Sequence, residues 1–417
     1  MKKFTVVEVC AGAGGQSLGL HKAGFVHKLA VEIDATAAET LRANLGAPVA
    51  VGDAASLEVW DPADYEDIDL FAGGVPCPPF SIAGKQLGSS DERDLFAWAV
   101  EQVGVMRPRA VMLENVRGLS GPRFSAYRQR ILDRLFDFGY VGEWKLITSA
   151  DFGVPQLRPR FVLIAMRAVD MRHFYWPEPT VAEHRSVGEA LYDLMAAEKW
   201  PYASEWRDLA SGVGPTLVGG SKKHGGADLG PTRAKARWAK LFVDGRGITD
   251  RAPGPDSPSP RDEAPRLTIA MAARIQGWNE SDKWIFAGKK TSQYRQVGNA
   301  FPPPVAEALG RSIAAALNRE TAARKVQEGM DLQDPVYRAL SRASGAISFE
   351  ELLRAVSSEG RATVEQSLAA IRHDFEVTES TDDSGAVLYR MGEFKGFIGQ
   401  EVHQRHVYVS TQRNRVS

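Results

Sequence analysis

Cysteine is scarce in this chain: Cys10 and Cys77 are the only two among 417 residues. Two thiols cannot frame a disulfide-stapled fold, and such usage suits a reducing compartment, so both are expected as thiols. Long apolar runs are missing as well. The start, Met1-Lys2-Lys3, leads into Phe4 to Val9, but Glu8 and the glycines that follow interrupt it. Nowhere do about eighteen apolar residues follow one another, so neither a secretion signal nor a membrane span is expected. A cytoplasmic location follows, on the nucleoid if DNA is the substrate. An excess of charge is missing too: the formal net charge is -1. No global basicity announces a nucleic acid, and any DNA contact must come from local patches. No internal repeat of solenoid period is visible, and no metal is expected.

What is present has ordinary globular proportions, 44% apolar and 25% charged, in a length that usually divides into two or three domains. Short β-rich runs alternate with amphipathic stretches over the first 166 residues, the pattern of a parallel sheet flanked by helices. Strands are predicted at Phe4 to Val9, Lys28 to Ile33, Ala50 to Gly52, Ile68 to Phe71, Ala110 to Leu113 and Phe161 to Met166. Helical periodicity covers Ala35 to Leu45, Asp94 to Met106, Tyr127 to Phe138 and, after three prolines, Val305 to Leu317. The fold class expected is α/β, a doubly wound, mostly parallel Rossmann-like sheet with a smaller irregular domain. The domains are drawn at 1–167 plus 291–320, at 168–290, and at 330–417. Between Arg207 and Arg251 stand nine Lys and Arg against four Asp. With Trp238 and Phe242 among the charges, this is the best candidate for a nucleic-acid surface, a solvated loop being the alternative. From Asp334 to Met391 a helix, a turn, two more helical runs and a strand suggest a winged-helix-like unit, with an oligomerisation or packing module as the alternative.

Chemistry concentrates where strands end. Cys10-Ala-Gly-Ala-Gly-Gly15 follows the first strand, where a doubly wound sheet lets a ligand approach the backbone. Glu32, at the end of the second strand, suits the two hydroxyls of a ribose, and Asp53, after the third, suits an adenine amine. Together they outline an adenosine pocket without a Walker phosphate cradle. The fourth strand runs into Gly73-Gly-Val-Pro-Cys77-Pro-Pro-Phe-Ser81, a thiol held between prolines that a core strand would not tolerate. Glu114 follows the fifth strand in Leu113-Glu114-Asn115-Val116, placed for general-acid work. Gln156-Leu-Arg158-Pro-Arg160 offers two guanidinium groups, and Gly298-Asn299-Ala-Phe-Pro302-Pro303 closes the set.

In this order the segments resemble the cytosine-5 DNA methyltransferase family, over residues 4 to 318. The resemblance implies a base-flipping enzyme that uses S-adenosylmethionine to methylate cytosine in double-stranded DNA. Cys77 would add to C6 of the flipped base, with Glu114 on N3 and the exocyclic amine and with Arg158 and Arg160 orienting base and glutamate. Cys10, Ala11, Gly12, Gly14, Gly15, Glu32, Ile33, Asp53, Ala54, Pro76 and Asn299 would form the cofactor site. Ser81 in the loop from Ser81 to Arg93, together with Thr216, Leu217, Lys222 and Lys223 in the variable region, would touch DNA. The family's restriction-modification setting implies a cognate endonuclease acting independently, and a monomer is expected.

Three positions depart from the family pattern: Cys10 where a phenylalanine usually stacks on adenine, Met271 for a glutamate, and Ala83 for a loop serine. None touches Cys77, Glu114, Arg158, Arg160 or Asn299, so activity is expected. The alternatives are a tRNA-modifying branch with the same motifs, a silent DNA-binding regulator on this scaffold, and an NAD-dependent oxidoreductase, which leaves the Cys77 loop unexplained.

Overall fold

The computed structural model describes residues 3–76, 94–219, 227–326, 334–356 and 360–396. Its centre is a seven-stranded sheet, built in chain order from β1 (Phe4–Val9), β2 (Phe25–Glu32), β3 (Val49–Val51), β4 (Leu70–Gly73), β5 (Ala110–Val116), β6 (Tyr140–Thr148) and β7 (Pro159–Arg167). The spatial order is β3-β2-β1-β4-β5-β7-β6, with β7 antiparallel to both its neighbours and the other pairs parallel. Successive side chains of β1 explain why both faces must be covered: Phe4 and Val6 enter one buried cluster, Val7 and Val9 the other. Helices α1 (Gly15–Lys22), α2 (Ala35–Asn44), α3 (Leu95–Met106) and α4 (Ser125–Asp137) supply part of that cover. A later helix, Pro303–Asn318, packs on α1 so closely that a Cβ at Gly19 would stand 2.4 Å from the Pro303 carbonyl oxygen. The doubly wound expectation therefore holds, with strand ends moved by a few residues.

Strand β6 was not expected. Its sequence, YVGEWKLIT, breaks any apolar run with Gly142, Glu143 and Lys145 because it forms the sheet's edge, where one side of the ladder faces water. Trp144 still anchors it, stacked on Phe161 at 4.9 Å between ring centroids.

The variable region is more ordered than its sequence suggests. Helices Val187–Ala196, Ala203–Leu209, Thr232–Ala239 and Ile269–Gln276 surround a third apolar cluster that holds Trp206, Trp238, Leu217 and Trp278. Ser186 and Glu189 cap the first of these reciprocally. Trp238, expected on a charged surface, is fully buried instead. Its helix turns the indole inward and leaves Arg233 and Arg237 exposed one turn apart.

Beyond residue 334 come helix Pro335–Arg342, β8 (Ile347–Ser348), helices Phe349–Ala355 and Arg361–Asp374, β9 (Phe375–Thr381) and β10 (Val387–Phe394). The strands form an antiparallel sheet in the order β8-β10-β9. Val336, Tyr337, Leu368 and Phe394 of this unit share a continuous buried cluster with α3 and α4.

Candidate active site

The strand order reverses between β1 and β4, which opens a crevice at the carboxyl ends of β1, β2, β4 and β5. After β1 the chain turns through positive φ at Cys10 (52°), Gly12 (56°) and Gly14 (81°) to start α1. At Gly14 side-chain size matters as well, since a Cβ would meet the Trp284 ring at 2.5 Å. The Trp284 indole N–H donates to the Ala13 carbonyl (3.0 Å), so the 280s close over the glycine loop.

Glu32 is held by that loop. Its carboxylate accepts from the Gly12 N–H at 2.7 Å and from the Asp34 N–H at 2.8 Å. Burial pushes its pKa above 4.5, opposed by those backbone donors. A cavity of about 230 Å³ lies here, with Glu8, Cys10, Glu32, Glu114 and Asn299 in its wall along with Ala11 and Gly12. Glu8 is fully buried and accepts from Ser17 (2.7 Å) and Gln16 (3.2 Å), with the His27 ring 2.8 Å away. Ile33, next to Glu32, is half exposed. Asp53 and Ala54 sit in the turn after β3, outside that wall: Asp53 accepts from the Ala55 N–H at 3.0 Å, and the Ala54 carbonyl accepts from the Trp60 indole at 2.7 Å. Gly15 supports the site rather than lining it, because a Cβ there would stand 2.2 Å from the Phe301 carbonyl oxygen.

In the same wall Glu114 pairs with Arg160, Nε to Oε1 at 2.5 Å, both side chains about one-tenth exposed. Glu114 Oε2 lies 3.5 Å from where a Cβ of Gly74 would stand, three residues before Cys77. The Asn115 amide donates to the Val75 carbonyl at 2.9 Å and fixes the same approach, while Pro76 is exposed. Cys77, Ser81, Lys222 and Lys223 lie outside the described residues, as does the loop from Ser81 to Arg93.

The two arginines part company. Arg158, 1% exposed and at a φ of 26°, donates to the carbonyls of Leu217 (2.7 Å), Gly298 (3.0 Å) and Ala300 (2.8 Å). Burial holds its pKa well below the usual guanidinium range. Its donors thus face backbone from the variable region and the Asn299 turn, and the pair with Glu114 belongs to Arg160. Leu217, expected at a DNA surface, is fully buried for the same reason: Gln156 Oε1 accepts from its N–H at 2.9 Å and Arg158 takes its carbonyl. Thr216 is half-buried. Asn299 is exposed, and Gly219 packs against it so closely that no side chain would fit at 219.

Sequence reasoning passed over Glu8, Asn115, Gln156 and Trp284. A carboxylate inside the apolar run of β1 was a visible signal; the tryptophan gave none.

A doubly wound sheet with carboxylates at successive strand ends around one crevice has the form of a nucleoside-binding enzyme. The family described as C-5 cytosine-specific DNA methylase matches residues 4–315. Type II methyltransferase M.NaeI of Lentzea aerocolonigenes is 55% identical over 419 residues, covering 100% of both chains. Type II methyltransferase M.NgoMIV of Neisseria gonorrhoeae is 47% identical over 76% of this chain and 99% of its own. A solved structure of Spodoptera frugiperda DNMT2, 16% identical, superposes with a TM-score of 0.51 over 75% of this chain and 99% of that one. The chain belongs to the C-5 cytosine-specific DNA methylase family, and it is a DNA methyltransferase.

Proposed function

We propose that the chain transfers the methyl group of S-adenosylmethionine to C5 of a cytosine flipped out of a specific double-stranded DNA sequence, with Cys77 as the covalent nucleophile. The observation that carries this reading is that Glu114, paired with Arg160, lines the same cavity as Glu32. The residues fit the cofactor. Both Glu32 oxygens are aimed by backbone donors and each keeps about one lone pair for a ribose hydroxyl. Cys10, Ile33 and the turn at Asp53 and Ala54 flank the place for adenine. When bound, the cofactor supplies an electrophilic methyl carbon.

The thiolate of Cys77 adds to C6 of the cytosine, and the C5–C6 electron pair becomes available at C5. Glu114, oriented by Arg160, holds N3 and the exocyclic amine as charge develops there. C5 takes the methyl, then loses its proton to a base; the returning electron pair expels the Cys77 thiolate and restores the ring. Arg158 serves this site at a distance, by tying the variable region to the Asn299 turn. The segment from 168 to 290 would read the target, with Arg233 and Arg237 on phosphates. The type II relatives support a restriction-modification role beside an independent endonuclease, and we propose a cytoplasmic monomer.

Conversion-based methylation sequencing of plasmid DNA from expressing cells tests this. Complete methylation of one cytosine within one short sequence is the expected result, and absence of any new C5-methylcytosine would overturn the reading.

A further inference from the structure

Four carboxylates stand in the wall of the cavity, those of Glu8, Glu32, Asp34 and Glu114, beside a single cation, Arg295. Each acid has donors of its own. Gln16 and Ser17 serve Glu8, the Gly12 and Asp34 N–H groups serve Glu32, and Arg160 holds Glu114. Asp34 caps α2, accepting from the Thr36 and Ala37 N–H groups at 2.9 and 3.1 Å. None of them is turned to Arg295.

Arg295 is half-buried, and among the described residues no hydrogen bond or ion pair reaches its guanidinium. Its backbone, by contrast, is held from two sides. The neighbouring Gln296 side chain accepts from the Thr40 hydroxyl at 2.6 Å and donates to the Ala287 carbonyl at 3.0 Å. Across from it, a Cβ at Gly219 would stand 3.0 Å from the Arg295 carbonyl oxygen. Asn299 follows one turn later on the same helix, Lys290–Asn299, and lines the cavity with it. A fork of N–H donors partly withdrawn from water on a fixed helix is costly to leave without an acceptor, and a ligand can supply one.

We propose that Arg295 binds the carboxylate at the methionyl end of S-adenosylmethionine, which deepens the function proposed above and rests on it. The cofactor is a cation overall, with a sulfonium and an ammonium, and so suits an acidic cavity. Its carboxylate does not: among these acids it is repelled unless a positive group receives it, and the planar fork of a guanidinium matches it bidentately. Glu32 takes the ribose, while Cys10, Ile33 and the turn at Asp53 flank the adenine. That leaves the wall of Arg295, Asn299 and Ala300 for the methionyl end. A DNA phosphate is the competing anion. It brings no positive charge of its own, so the surrounding acids oppose it more than they oppose the cofactor.

The test uses the full chain as wild type, Arg295→Gln and Arg295→Lys. Calorimetry without DNA measures affinity for S-adenosylmethionine and for its decarboxylated form, which keeps the sulfonium and the amine; duplex affinity is measured separately. Wild type is expected to prefer the intact cofactor by about thirty-fold. Arg295→Gln is expected to lose that preference by binding the intact cofactor more weakly, with affinity for the decarboxylated form unchanged. Arg295→Lys, which keeps the charge without the fork, is expected to retain part of it. No preference in wild type, a preference retained in Arg295→Gln, or an equal loss for both ligands would overturn the inference. Unchanged cofactor affinity beside weaker duplex binding would also overturn it, giving Arg295 to a phosphate. Should wild type bind neither ligand, the cofactor of the proposed function falls, and Arg295 loses its ligand with it. A wild type that binds the cofactor but methylates nothing would remove only the proposed transfer, and the binding data would still decide for Arg295.

Discussion

The sheet edge and the variable region hold their polar groups in opposite ways. At the edge, carboxylates are aimed by backbone N–H groups of the loops at the strand ends: Glu32 by those of Gly12 and Asp34, Asp53 by that of Ala55. In the variable region, backbone is aimed by side chains that reach across from the sheet: Gln156 takes the Leu217 N–H, and Arg158 takes the Leu217 carbonyl. Where the donor is two residues away, as Asp34 is from Glu32 and Ala55 from Asp53, the fixing reads as a motif. Distant fixing depends on one long side chain bridging segments 59 to 142 residues apart, and it leaves no local pattern.

Arg158 and Arg160 stand on the two sides of that contrast, so one conservative change separates them. Arg158→Lys keeps a charge but cannot reach three carbonyls from one head group. It is expected to lower stability by about 3 kcal/mol, read as a shift in the denaturant midpoint. Arg160→Lys is expected to leave that midpoint in place while slowing methyl transfer about a hundred-fold, since Glu114 loses its geometry. Equal stability losses in both variants would erase the distinction.

A smaller effect sharpens the sheet-edge side. Glu32 has its pKa raised by burial, so the folded state holds its proton to higher pH than an exposed glutamate does. For a carboxyl shifted upward, ionisation costs stability as pH rises through the folded value, while a ribose is bound best by the ionised form. Cofactor affinity is therefore expected to fall as pH drops, starting above 4.5, in equilibrium binding measurements. Glu32→Gln should bind about ten-fold more weakly and show no such slope; a slope retained in the variant would assign the titration to another group.

The smallest expected effect belongs to the exposed face of helix Thr232–Ala239. Arg233→Ala and Arg237→Ala should each reduce the salt dependence of duplex binding by about one in log–log slope, without changing which sequence is methylated. An altered target would make them base readers instead.

Much of the sheet was legible in the sequence because β1, β4 and β5 bury apolar residues on both faces. Strand β6 was not, since an edge strand alternates weakly and its Gly-Glu-Trp-Lys reads as surface. In the site, Glu32 was legible as the last residue of β2, and Glu114 as a carboxylate near the end of β5, which runs to Val116 rather than ending at Leu113 as expected. Arg158 and Leu217 were read from residue type as ligand contacts, and nothing in the sequence signalled that both are buried and that Arg158 donates to the Leu217 carbonyl. Trp238 misled in the same way: its basic neighbours occupy the other face of a helix whose direction only the packing of Trp206 and Leu217 reveals.

The central claim is a covalent bond between the Cys77 sulfur and C6 of cytosine, tested most directly with a duplex carrying 5-fluorocytosine at the methylated position. Fluorine cannot leave C5 as a proton does, so the adduct persists, and peptide mass spectrometry is expected to find the oligonucleotide joined to Cys77. A methylated but uncoupled duplex, or attachment at any other residue, would contradict the account.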